Sequence, residues 1–322
     1  MPRAGSAWRP GATLATLRRR AEILATIRAF FAARGVLEVD TPQLSPVTAT
    51  DPLLASVPAL PWADDTRWFL QTSPEFAMKR LLAAGSGPIY QIVHAFRRAE
   101  HGRLHNPEFS MLEWYRPGFD AEALAAEVAE LVTAVIGARE VRRDAWGSLF
   151  RAGVGLDPFT AGDADLRAAA ARSAGDTVRG WARDELLDLL FSEHVEPQLG
   201  QGCLQFVDAF PAARASLART LNDADGHRVA DRFELFIDGC EIANGYHELL
   251  DAAELRTRME ADNAARRARG EDAIPVDERL LAAMAHGLPP CAGVALGVDR
   301  LVMIALGARD IDDVLAFSAP RA

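Results

Sequence analysis

Phe96-Arg97-Arg98-Ala99-Glu100-His101-Gly102-Arg103-Leu104-His105-Asn106-Pro107-Glu108-Phe109-Ser110-Met111-Leu112-Glu113-Trp114-Tyr115 is the stretch on which the reading of this chain turns. Before it, Ile89 to Arg97 alternates, so that Arg97 shares a face with Val93 and Ala95. After it, Phe109, Met111, Glu113 and Tyr115 fall on one face, as the two-residue period of a β-strand requires. The segment reads as two strands joined by a loop rich in Arg and His. Such a hairpin presents a cation, an aromatic plate, a carboxylate and a phenol to one cleft. Those groups suit a nucleotide triphosphate and an amine-bearing small molecule.

Working outward, Leu14, Leu17, Ala21, Leu24 and Phe31 mark one face of a first helix, which Gly35 ends. Val36-Leu37-Glu38-Val39 begins a strand that stops at Thr41-Pro42. Arg67 to Leu70 is a short strand. Ser73-Pro74-Glu75 starts a helix, with Ser as N-cap and Pro at the first position, running to about Ala84. Downstream, Asp120 opens a helix with Leu124, Val128, Leu131 and Val135 inward. Residues 140–200 read as a mostly helical insertion, clearest at Arg183 to Val195. Leu204 to Asp208 is a strand, and Asp231 to Ile237 with Cys240 to Tyr246 forms a second hairpin about Asp238-Gly239. Asp251 caps a further helix, Cys291 to Leu296 is a last strand, and Gly297 leads into a helix carrying Asp299 and Arg300. Strands gathered into hairpins, with helices before, between and after them, favour an α+β fold: a mostly antiparallel sheet flanked by helices. The organisation expected is a loose tail over residues 1–13 and one domain over residues 14–322.

The 322 residues are 49% hydrophobic, enough for a substantial core. No run of about 18 apolar residues exists, so no membrane span is expected. Met1 to Thr13 lacks the apolar stretch of a signal peptide. Cys203, Cys240 and Cys291 lie far apart without the spacing of a zinc site or disulfide framework, which points to the reducing cytoplasm. The net charge of −10 speaks against broad nucleic-acid binding. Lys79 is the only lysine, a bias of composition.

Each candidate group has a plain reading beside its functional one. Arg97 at a strand end is also the description of a solvated edge residue. Arg300, behind a glycine in the first turn of a helix, is ordinary alone, although a helix N-terminus and an Arg together favour anions. Glu241 and Glu248 flank Ile242-Ala243-Asn244-Gly245-Tyr246-His247. Carboxylates on a buried strand are costly unless paired or metal-bound. Two near one cleft suit magnesium, which takes one or two carboxylates plus phosphate oxygens; Glu248 as a surface residue is the alternative. Their parity differs, so a regular strand sends them to opposite faces. A bulge is needed if both serve one site, and Gly245 is its expected place. Phe109 fits a core position as well as a platform for a base.

Val39-Asp40-Thr41-Pro42, the Phe96 to Tyr115 hairpin, and Gly293-Val294-Ala295-Leu296-Gly297-Val298-Asp299-Arg300-Leu301 resemble, in order, the three motifs of class II aminoacyl-tRNA synthetases. Arg232 to Phe236 and Glu241 to Gly245 resemble the lysyl branch. The resemblance runs from about residue 14 to 320. Lysyl-tRNA synthetases carry an N-terminal anticodon-binding domain, whereas here the catalytic pattern begins almost at once. A lysyl-like core alone resembles the family of ligases that modify elongation factor P, with which Thr72-Ser73-Pro74-Glu75 and Met111 to Arg116 also agree. Ala295 does too: lysyl synthetases have Gly there, and the added methyl is associated with preference for (R)-β-lysine over α-lysine.

The resemblance implies that the amino acid's carboxylate attacks the α-phosphate of ATP, and that a lysine ε-amine of elongation factor P then takes the acyl group. Arg97 would hold the α-phosphate and Arg300 the γ-phosphate. His105, Asn106 and Glu100 would line the nucleotide, with Phe109 stacking on the base. Glu241, the backbone at Ile242, and Gly297 would complete ATP binding, and Glu241 and Glu248 would bind Mg2+. Ser73, Glu75, Tyr115 and Glu248 would bind the substrate's amino groups, with Ala295 shaping their pocket. Pro42 implies a homodimer, no tRNA is expected, and the setting is cytoplasmic. One departure stands out. The family's second motif has an acidic residue two positions after its Arg, where this chain has Ala99 followed by Glu100. A tRNA-charging enzyme and a non-catalytic regulatory paralogue remain the competing readings.

Overall fold

Thr13 caps the first helix, α1 (Leu14–Ala32), its hydroxyl oxygen accepting the Thr16 N–H at 3.1 Å. The buried positions of α1 are Ile23, Ile27, Phe30 and Phe31, while Leu14 and Ala21 are exposed. The inward stripe is therefore rotated from the one the hydrophobic pattern predicts, because Phe31 fixes the helix by stacking on Tyr90 at 4.4 Å. The computed structural model describes residues 8–64 and 66–322. Residues 1–7 of the segment read as a tail lie outside that range. Gly11 and Ala12 of the same segment are held: their N–H groups donate to Ala316 O and Leu315 O at 2.9 and 3.0 Å.

The chain continues through β1 (Leu37–Glu38), β2 (Leu44–Ser45), β3 (Val57–Ala59), β4 (Trp68–Leu70), α2 (Glu75–Ala83), β5 (Ile89–Phe96) and β6 (Glu108–Pro117). Then come α3 (Ala121–Ile136), β7 (Glu140–Ala145), α4 (Trp146–Val154), α5 (Asp163–Ala174), α6 (Arg183–His194) and β8 (Cys203–Pro211). Last are β9 (Thr220–Asn222), β10 (Arg228–Ile237), β11 (Cys240–His247), α7 (Ala252–Ala268), α8 (Glu278–Gly287), β12 (Cys291–Gly297) and α9 (Val298–Leu306). Two units emerge. The first runs to Phe119 and takes in Glu130–Gly137 and Leu249–Ala322; the second comprises Asp120–Ala129 and Ala138–Glu248.

In the first unit the strand order is β1-β5-β6-β12. β6 is antiparallel to both β5 and β12, and β1 runs parallel to β5. The even-numbered side chains of the β5–β6 hairpin lie under α1, where Phe31 meets Tyr90 and, at 5.3 Å, Trp114. The odd-numbered side chains form the opposite face, as the pleat demands. β2, β4 and β3 form a separate three-stranded antiparallel sheet.

In the second unit the order is β11-β10-β8-β7, with β9 also on β10. β7 is absent from the sequence reading. Glu140-Val141-Arg142-Arg143-Asp144-Ala145 is mostly exposed and does not alternate, so its pairing parallel to β8 is set by tertiary contact rather than pattern. Residues after it are helical through α4, α5 and α6. Trp146 anchors them, stacked on Phe150 at 5.0 Å and on Phe191 at 4.7 Å, in a core that includes Leu186, Leu190 and Phe210. Asp238 and Gly239 both have positive φ, 51° and 74°, as a two-residue hairpin turn of matching twist requires.

Candidate active site

The odd face of β5, β6 and β12 carries the first group of site residues. Across the sheet Ala95 lies opposite Phe109, Val93 opposite Met111 and Gln91 opposite Glu113, while Glu113 and Tyr115 lie opposite Ala295 and Gly293 on β12. Val93, Ala95 and Met111 are buried together, with Phe109 and Ala295 packed against them. Glu113 is 2% exposed, and its Oε1 accepts the Tyr115 hydroxyl at 2.7 Å. Sequence reasoning put Glu113 on this face but gave it no role. A fully buried carboxylate beside an expected ammonium pocket is the stronger candidate, and the signal was its strand parity.

At the end of β5 the Arg97 N–H donates to Pro107 O, closing the hairpin, and the Arg97 guanidinium lies 5.1 Å from the centre of the Phe109 ring. Its Nη1 is 3.4 Å from Glu100 Oε1. Ala99 between them has φ of +67°, a conformation a β-carbon resists, and the chain turns there before Glu100. Gly102 and His105 close a tight turn by exchanging N–H···O bonds. His105 Nε2 is 2.7 Å from Arg300 Nη2, so the loop and the start of α9 meet through two of the expected phosphate-side residues. A β-carbon at Gly297, the N-cap of α9, would lie 3.6 Å from Arg300 Cδ, an ordinary contact; packing within the protein does not demand glycine there.

Asn106 departs from expectation. Its amide nitrogen donates to Glu108 O at 2.6 Å and its oxygen accepts the Ala319 N–H at 2.9 Å, at 6% exposure. The side chain ties the loop to the C-terminal segment rather than presenting itself to a nucleotide. At the same end of β5, the Phe96 N–H donates to Gln71 O, which brings the turn before α2 beside the strand. Pro74, not Ser73, is the residue at the N-cap of α2, and Ser73 Oγ accepts the Glu75 N–H at 3.0 Å. Glu75 is paired with Lys79 one helical turn on.

The second unit holds its own acidic group. Leu235 pairs with Ala243 and Phe236 with Glu241, so Ile242 is the extra residue of a β-bulge. The bulge lies at Ile242, not at Gly245, which pairs regularly with Phe233. Its effect is the expected one: Glu241 joins the parity of Asn244, Tyr246 and Glu248. Glu234 stands directly opposite Asn244 and Arg232 opposite Tyr246. Arg232 ion-pairs with Glu234 and donates to Asn244 Oδ1 at 3.0 Å. Burial pushes the Glu234 carboxyl up to about 7; Arg232 opposes this and the charge of Glu241 adds to it. Glu248, 1% exposed and bridged to Ala218, is no surface residue. Glu234 and Glu241 lie close enough for the charge of one to disfavour ionisation of the other, and carboxylates so placed suit a small divalent cation.

The model of class II tRNA synthetases (D, K and N) matches residues 7–321. The chain belongs to this class II synthetase family. It is 49% identical to the elongation factor P--(R)-beta-lysine ligase of Pectobacterium carotovorum subsp. carotovorum (strain PC1), over 98% of this chain and 99% of that one. With the proteins of the same name from Edwardsiella ictaluri (strain 93-146) and Yersinia enterocolitica serotype O:8 / biotype 1B it shares 48%, again over 98% of this chain and 99% of each. The α+β architecture with its mostly antiparallel strands is thus the class II synthetase-like fold, and no described helix is long and apolar enough to cross a membrane. The stretches that resemble the second and third motifs form the hairpin β5–β6 and the pair β12 with α9.

Proposed function

We propose that this chain is an ATP-dependent ligase that activates (R)-β-lysine as an acyl-adenylate and transfers it to the ε-amine of a lysine on elongation factor P. The observation that carries the reading is identity of 48–49% along 98% of the chain with relatives of that name. In the first step a substrate carboxylate oxygen attacks the α-phosphorus and pyrophosphate leaves. In the second the acceptor amine attacks the acyl carbon, AMP leaves, and the amine gives up a proton. Neither step needs a protein nucleophile; both need charge neutralisation and positioning. Arg97 serves the α-phosphate, Arg300 and His105 the terminal phosphate, and Phe109 the base. Glu100, close to Arg97, takes the place of the acid that Ala99 lacks. Gly297 gives the nucleotide close approach.

Glu75, Glu113 and Tyr115 receive the substrate's ammonium groups, Ser73 supports Glu75, and Ala295 shapes the pocket. Glu241 and Glu248 would hold Mg2+, and the charge of Glu241 reaches Glu234; the ion when bound neutralises phosphate charge. The reading includes a cytoplasmic homodimer, to which the exposed Leu37 on β1 lends support. The test is intact mass of purified elongation factor P after incubation with the chain, ATP, Mg2+ and either lysine isomer. Addition of one β-lysyl residue is expected. No added mass with either isomer overturns the reading, and charging of tRNA with α-lysine would replace it.

A further inference from the structure

Behind the face that carries Phe109, three side chains close a ring. Arg20 Nη1 of α1 lies 2.6 Å from Asp299 Oδ1 of α9. Arg20 Nη2 donates to Ser110 Oγ of β6 at 2.8 Å. The Ser110 backbone N–H donates to Asp299 Oδ2 at 2.8 Å. Asp299 is 2% exposed and Ser110 8%. The ring joins elements that carry all three motifs or lead into them, and its members precede or follow residues of the proposed nucleotide end: Ser110 follows Phe109, and Asp299 precedes Arg300.

We infer that Arg20 is a positioning residue for the nucleotide end of the site, acting through Asp299 and Ser110 on the orientation of Arg300 and Phe109. The inference rests on the ATP-binding roles proposed above for those two residues. Arg20 lies under the reverse face of the sheet, so its influence passes through the backbone it holds. A desolvated ion pair has a steep dependence on separation, because little water is present to replace a lost contact. Any shift of α9 along β6 must stretch either the Arg20–Asp299 pair or the Ser110–Asp299 bond. The planar fork of Arg20 spans both partners at once; an ammonium at the same place reaches only one. The ring thereby fixes the start of α9, from which Arg300 projects, relative to the strand position that carries Phe109.

The test compares Arg20→Met, Arg20→Lys and Ser110→Ala, assayed by ATP–pyrophosphate exchange well below each variant's melting temperature. Arg20→Met should raise KM for ATP by about 10- to 100-fold, the scale of a lost charge-assisted contact, with KM for (R)-β-lysine within about twofold of wild type. Arg20→Lys and Ser110→Ala, which leave the ion pair, should give smaller shifts in the same sense. Leu190→Ala in the second unit's core is the control for destabilisation alone, and should leave KM for ATP unchanged. Unchanged KM for ATP in Arg20→Met, or equal rises for both substrates, overturns the inference. ATP binding by calorimetry supplies an independent readout: if wild type binds ATP but catalyses no exchange, the ligase reading fails while a weakened affinity in Arg20→Met still supports the positioning role. Equal affinity of wild type and Arg20→Met, or no binding to either, overturns it.

Discussion

Lys79 Nζ donates to Glu75 Oε1 at 2.6 Å, and Lys79 is 1% exposed. The chain's single lysine thus lies buried against the carboxylate proposed for the substrate's amine. Two consequences separate stability from binding. Lys79→Met keeps the volume and removes the charge, leaving Glu75 without this partner; a loss of about 3–5 kcal/mol is expected, read from the urea midpoint. Glu75→Gln should instead lower kcat/KM for (R)-β-lysine by about 10- to 150-fold, the value of one charge-assisted contact, with KM for ATP unchanged.

Glu234 sets a pH dependence. Its carboxyl is raised from 4.5 to about 7, chiefly by burial. Between those values the folded protein holds a proton that the unfolded chain has released, so stability falls as pH rises through the window. Glu234→Gln stays neutral throughout. In magnesium-free buffer, denaturation midpoints from pH 4.5 to 7 should fall in wild type and stay flatter in the variant.

Ala99 pays a backbone cost that Gly would not. Ala99→Gly should stabilise the chain by about 1 kcal/mol while keeping the turn that brings Glu100 to Arg97. Glu100→Gln removes the charge from that pairing, and KM for ATP in pyrophosphate exchange should rise several-fold. Ala99→Glu restores the family's acid at the family's position and should leave exchange active; a large loss of exchange would overturn this expectation.

Ala295 lies opposite Glu113 on the pocket face. Ala295→Gly removes one methyl, and discrimination by a methyl-sized group is worth about 1–3 kcal/mol, or roughly 10- to 200-fold. The ratio of kcat/KM for α-lysine to that for (R)-β-lysine should rise by about tenfold or more in exchange assays.

Local patterns were legible wherever the periodicity repeats. The β5–β6 hairpin, the Asp238-Gly239 turn, the inward stripe of α3 and the helix at Arg183 follow from alternation, turn chemistry and 3.6-residue spacing within short windows. The motif residues on the β5–β6–β12 face were legible for the same reason: strand parity fixes which side chains share a face. The need for a bulge between Glu241 and Glu248 was likewise forced by counting, although its place was not.

What sequence left open depends on partners distant along the chain. Ser110 meets Arg20 and Asp299 across 90 and 189 positions, and no local window contains both ends. β7 pairs only because β8 offers it an edge, and Asn106 is spent on Ala319 rather than on a ligand surface. The sequence by itself determined which elements form and which residues carry charge to the hairpin face. Only the tertiary structure decided which of those charges are buried against one another, because desolvation and ion pairing depend on distances that chain order does not encode.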